Sequence, residues 1–147
     1  MDSEILEDAN IDGVVLTPLK RIENPKGDVY HIMKESDSCF QRFGEAYFTT
    51  VHNEVLKGWK RHTKMQMNLV VPVGSVTFFI HDEKLGKTKK FTLNRDNYCR
   101  LTVPPGLWMA FKGQNEGVNL VLNMASIEHD PLEAKNAAIE TFSLECD

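Results

Sequence analysis

With 147 residues, 41% hydrophobic and 26% charged, the chain can bury one core but is too short for a second, which excludes a multidomain machine. Its net charge of -4 argues against nucleic acid as the main partner, since that role needs a basic surface, yet it leaves room for a local basic pocket. No stretch approaches the roughly 20 apolar residues that span a membrane. The acidic start Met1-Asp2-Ser3-Glu4 does not read as a signal peptide, and Cys39, Cys99 and Cys146, widely spaced without Cys-x-x-Cys, fit reduced thiols in a cytoplasmic protein.

Residues 1–10 read as an acidic, loosely ordered N-terminus and residues 11–147 as a single domain. Short β-type runs follow at Val14–Leu16, Val29–Met33, Ala46–Val51, Met65–Val73, Val76–His81, Lys89–Leu93, Tyr98–Val103, Leu107–Phe111 and Val118–Met124. Turn residues separate them, as at Asn24-Pro25-Lys26-Gly27-Asp28, Gly74, Asn94-Arg95-Asp96-Asn97 and Pro104-Pro105-Gly106. Many short strands at this spacing predict an all-β sandwich or barrel. Only the tail reads as helix. Asp130 is placed to cap it, Pro131 sits at its first position, Glu133 completes a capping-box-like arrangement, and Leu132, Ala138 and Ile139 form a candidate buried stripe over Glu133–Thr141.

The stretch from Lys57 to Asn68 carries the most chemistry. Read as strand, it places Lys60, His62, Lys64, Gln66 and Asn68 on one face, with Arg61, Met65, Met67 and Leu69 on the other. A basic, amide-rich row inside a barrel suits phosphates, hydroxyls and a developing enolate. The same row also fits a solvated edge strand whose lysines discourage aggregation. Beyond Pro104-Pro105-Gly106, Trp108 and Phe111 read as core aromatics rather than a ligand platform. The single histidines His31, His52, His81 and His129 read as surface or capping residues, so no metal site is expected.

Four segments carry a resemblance in the right order: Phe43-Gly44-Glu45-Ala46-Tyr47-Phe48, Lys57-Gly58-Trp59-Lys60-Arg61-His62, Val103-Pro104-Pro105-Gly106-Leu107-Trp108, and Asn123 through His129-Asp130-Pro131. Across about residues 12 to 135 the chain resembles the cupin superfamily, and within it the dTDP-4-dehydrorhamnose 3,5-epimerase family with its shorter sugar-epimerase relatives. The resemblance implies a jelly-roll (cupin) barrel, a homodimer, a nucleoside-diphosphate sugar in the barrel mouth, and proton-transfer chemistry in carbohydrate biosynthesis without metal or other cofactor. It also marks departures. Lys60 stands where the family's base is a histidine, Met109 where it has a second histidine, and Asn123 where it has a tyrosine acid. The C-terminal segment that carries the histidine's Asp partner is missing.

The expected catalytic pair is therefore His62 as base, since an imidazole titrates near neutrality, with Lys60 as the enolate's cationic partner. Lys57, Arg61, Lys64, Gln66, Asn68 and Asn123 are candidates for phosphate or sugar, and Glu45 and Tyr47 for the nucleotide. The implied reaction is epimerisation of a 4-keto-6-deoxy-sugar at C3 or C5. Two alternatives stay open: a 3,4-ketoisomerase, whose Arg-Gly-x-His-x-His motif retains its second histidine here as His62, and a non-catalytic cupin that only binds a sugar nucleotide.

Overall fold

The computed structural model describes residues 7–8 and 11–146. Its strands are β1 (Glu7–Asp8), β2 (Val15–Pro18), β3 (Arg21–Ile22), β4 (Val29–Tyr30), β5 (Glu45–Thr50), β6 (Leu56–His62), β7 (Met67–Val73), β8 (Ser75–Asp82), β9 (Lys87–Asn94), β10 (Cys99–Val103), β11 (Trp108–Gly113), β12 (Leu120–Ala125) and β13 (Ala134–Asn136). One sheet runs β1-β2-β10-β7-β12-β5 and the other β13-β6-β11-β8-β9, with β3 and β4 a separate hairpin. Every ladder within them is antiparallel. This is the expected all-β cupin jelly roll. Of residues 1–10, only Glu7 and Asp8 are described, and they pair with Leu16 and Val15; the rest of that expectation lies outside the described residues. No helix among the described residues is long and apolar enough to cross a membrane.

Strand alternation sorts the side chains. Met109 on β11 points between the sheets, into a core with Leu69, Phe78, Ile80 and Leu101. Its neighbours Trp108 and Ala110 belong to a second cluster with Trp59 and Phe79 on the other side of that sheet. The tail covers this cluster through Ile139, Phe142 and Leu144. Trp59 exchanges backbone hydrogen bonds with Ala137 at 3.1 and 3.0 Å, and its indole N–H donates to the Ile139 carbonyl at 3.0 Å.

Two expectations need correction. The C-terminal helix is absent: Ala134, Lys135 and Asn136 pair with His62, Arg61 and Lys60 as β13, and among the described residues the only helical ones form one 3-10 turn, Ile139–Thr141. An isolated helix of nine residues is marginal in water, whereas the edge of β6 offers unpaired backbone groups and the Trp59 cluster an apolar face to cover. Leu132 consequently lies 91% exposed, Ala138 is exposed, and only Ile139 of the expected stripe is part-buried. Residues 57–68, moreover, are not one strand. The chain leaves the five-stranded sheet after His62, turns at Thr63 and Lys64, and enters the six-stranded sheet at Met67. The crossing breaks the alternation.

Gly58 lets β6 lie against β11. Its φ is 154°, and an added Cβ would sit 2.4 Å from Ala110 Cβ and 2.7 Å from Ala110 Cα. Gly58→Ala is expected to cost about 1–3 kcal/mol of unfolding free energy in urea melts, an overpacking penalty. Adding Ala110→Gly should not restore it, because the backbone carbon still obstructs.

Candidate active site

A cavity of about 320 Å³ opens between the two sheets. His62 reaches it from the end of β6, where the Gly106 N–H donates to the His62 carbonyl at 2.8 Å and ties the Pro104-Pro105-Gly106 corner to the strand. The His62 side chain is 9% exposed and Glu133 beside it 2%. Asp130 shapes the turn that delivers Glu133, accepting the Glu133 N–H on its carbonyl and the Leu132 N–H on its side chain, both at 3.0 Å.

Glu133 Oε1 lies 2.8 Å from His62 Nδ1. Its Oε2 accepts the backbone N–H groups of Lys64 and Met65, each at 2.8 Å. Burial pushes this carboxyl up, but the His62 hydrogen bond and the two backbone donors outweigh it and hold the group at about 2, below the ordinary 4.5. The carboxylate is thus ionised at neutral pH and has no proton to give. Nδ1 must carry the shared hydrogen, so in the neutral ring it is the Nε2 lone pair that can accept one. An imidazole fixed in this tautomer has the chemistry a general base needs.

Lys60 lines the cavity two residues before His62, roughly 7 Å away along the strand. Lys57 lines it too, its ammonium donating to the Thr50 carbonyl at 2.8 Å and to Thr49 Oγ1 at 3.3 Å. From the facing sheet come Tyr47 on β5 and Asn123 on β12, directly paired in register. Met65, Met67, Leu69 and Met109 supply apolar wall. The site therefore offers one oriented imidazole, two cations, amides and a phenol around an apolar floor.

His62, Lys60, Lys57, Tyr47 and Asn123 from the sequence reading meet at this cavity; the others do not. Arg61 faces the opposite side, its guanidinium 5.0 Å from the Trp108 ring centroid and 3.7 Å from Glu83. Lys64 is exposed in the turn and contributes only its backbone N–H to Glu133. Gln66 and Asn68 are buried behind the wall, with Asn68 Nδ2 donating to Gln66 Oε1 at 3.3 Å. Glu45 accepts the His129 N–H at 3.2 Å and so braces a loop. The sheet crossing explains Gln66 and Asn68: it puts Met65, Met67 and Leu69 on the cavity face. Phe111, read as core, is part-buried and also lines the cavity.

Sequence reasoning missed Glu133, Asn136 and His129, all at or beside the cavity. Asn136 stands opposite Lys60 across the β6–β13 ladder. The helix assignment concealed both Glu133 and Asn136, and the one sequence signal for Glu133 was the Asp130-Pro131 turn before it.

Residues 12–137 match the family described as FdtA: WxcM-like, C-terminal. Among solved structures, a dTDP sugar isomerase from Desulfovibrio desulfuricans G20 superposes with a TM-score of 0.87 at 31% identity, over 95% of this chain and 94% of that one. QdtA, a sugar 3,4-ketoisomerase from Thermoanaerobacterium thermosaccharolyticum solved with TDP, superposes with a TM-score of 0.73 at 25% identity, over 85% and 88% of the two chains. Agl13 of Haloferax volcanii, named a probable low-salt glycan biosynthesis epimerase, is 22% identical over 128 residues, 82% of each chain.

A carboxyl held below its unfolded value stabilises the fold above pH about 4.5, and that contribution drains away as the pH falls through about 2. The stability advantage of the wild type over Glu133→Gln should therefore shrink by on the order of 3 kcal/mol between pH 6 and pH 2. Urea unfolding at a series of pH values measures it; a constant difference would mean that Glu133 is not held as an ion.

Proposed function

The chain belongs to the FdtA (WxcM-like, C-terminal) family of cupins, and from that premise we propose that it epimerises a nucleoside-diphosphate 4-keto-6-deoxy-sugar at C3, C5 or both, in the making of a glycan precursor. The observation that carries the reading is the His62–Glu133 pair, which leaves Nε2 to accept a proton at the cavity that Lys60 also lines. A ketone at C4 acidifies the hydrogens on the neighbouring carbons. His62 Nε2 removes one, the bonding electrons pass into the enolate, and Lys60 holds the oxyanion. Electrostatic help of this kind is often the largest single term in such a reaction. Lys57, at the same cavity, is the second cation available to the diphosphate, and Asn123 and Asn136 are amides available to sugar hydroxyls.

No metal takes part in this reading. His62 spends Nδ1 on Glu133, Met109 offers no hard ligand, and among the described residues no three His, Cys, Asp or Glu side chains converge. Similarity to QdtA favours a second reading, the 3,4-ketoisomerase, in which the abstracted proton returns to C4 and the carbonyl moves to C3.

Incubation with TDP-4-keto-6-deoxyglucose in D₂O, followed by NMR, separates the possibilities. The proposal expects deuterium at C3 or C5 with inversion, unaffected by EDTA. Deuterium at C4 with a C3 ketone would establish the isomerase. No exchange with this or other keto-sugar nucleotides would mean a binding protein. His62→Ala should lose exchange by about a hundredfold or more, Lys60→Met by less, and Lys60→Arg should retain part. If Lys60→Arg matches Lys60→Met while His62→Ala stays active, the lysine is the base.

A further inference from the structure

Inversion at a carbon needs a second group, because the proton must return to the face opposite the base. The cavity carries a candidate on its other wall. Tyr47 is on β5 in the six-stranded sheet, whereas His62 is on β6 in the five-stranded sheet, and both side chains line the same space.

The hydrogen bonds around Tyr47 settle which way its hydroxyl works. The Asn68 backbone N–H donates to Asn123 Oδ1 at 3.2 Å. A backbone N–H is always a donor, so the Asn123 amide cannot be flipped: its oxygen faces Asn68 and its Nδ2 faces the cavity. That Nδ2 lies 3.0 Å from Tyr47 Oη. Tyr47 Oη is therefore an acceptor in this contact, and its own hydrogen remains to be given elsewhere. Behind Asn123 the orientation is locked, since Thr102 Oγ1 donates to Asn68 Oδ1 at 2.6 Å and Asn68, Thr102 and Asn123 are each at most 4% exposed. This buried row braces the wall from behind.

We propose that Tyr47 is the general acid of the reaction, delivering a proton to the enolate from the wall opposite His62, so that the chemistry ends in inversion; the inference rests on the epimerase reading above. In the step, the C–H bond breaks as His62 Nε2 takes the proton and the electrons enter the enolate. The enolate carbon then takes the Tyr47 hydroxyl proton on its other face, and the ketone re-forms. His62 is left protonated and Tyr47 as a phenolate, still held by the Asn123 Nδ2–H. One proton lost to water from His62 and one gained from water by Tyr47 reset the site. Tyr47 is 39% exposed, so water reaches it.

The test uses Tyr47→Phe on the full chain with TDP-4-keto-6-deoxyglucose in D₂O, following label in recovered substrate and in epimer separately. His62 can remove a proton and return deuterium to the same face without Tyr47. The variant should therefore keep washout into substrate within about threefold of wild type while epimer formation falls by about a hundredfold or more. His62→Ala should lose both. If Tyr47→Phe still forms epimer at the wild-type rate, or loses washout and epimer in equal proportion, Tyr47 is not the acid, while the His62 reading stands. A wild type that exchanges nothing, or only moves the ketone, overturns the epimerase reading and this inference with it.

Discussion

The Glu133 carboxylate is the contact on which the site depends. An ion 2% exposed is costly unless donors surround it, and here three do: the His62 ring and the backbone N–H groups of Lys64 and Met65. The Glu133 carbonyl also accepts from Thr63, through its N–H at 3.0 Å and its hydroxyl at 2.7 Å. One residue on the strand-forming tail thus fastens the point where the chain crosses between sheets. The same arrangement fixes the imidazole tautomer, so folding and chemistry share a cause.

The jelly roll adds what a single pair cannot. Its two sheets present separate walls to one cavity, with a base and cations on one and an amide–phenol pair on the other. Each wall is stiffened from behind. The tail packs on Trp59, Phe79 and Trp108 behind β6, and Phe142 stacks on His81 at 4.3 Å. Asn68 and Thr102 lock Asn123 on the opposite sheet. Side chains held in this way keep their geometry without relying on a ligand to organise them.

Much of the fold was legible because alternation and turn residues are local signals. Val76–His81 and Leu107–Phe111 fall within one or two residues of the observed strands β8 and β11. The order of motifs led to the sugar-nucleotide cupins, and His62 stood out as the one histidine in a basic row. The failures were non-local. Glu133 lies 71 residues from His62, and nothing local separates a capping glutamate from a buried partner. Helix propensity in 133–141 lost to pairing with β6. A continuous strand through 57–68 would put Gln66 and Asn68 in the cavity, but the chain changes sheets there, which reverses the sense of every later side chain. Both proved to be the support of the wall rather than its face.

The central claim is that Glu133 holds His62 protonated on Nδ1 and free on Nε2. Long-range ¹H–¹⁵N correlation of the imidazole at neutral pH reads this tautomer directly. Wild type should show Nδ1–H with an unprotonated Nε2. In Glu133→Gln the side-chain carbonyl must keep the Lys64 and Met65 N–H groups, so its amide N–H₂ faces Nδ1 and the ring proton should move to Nε2. A wild-type imidazole protonated on Nε2, or one unchanged by Glu133→Gln, would contradict the account.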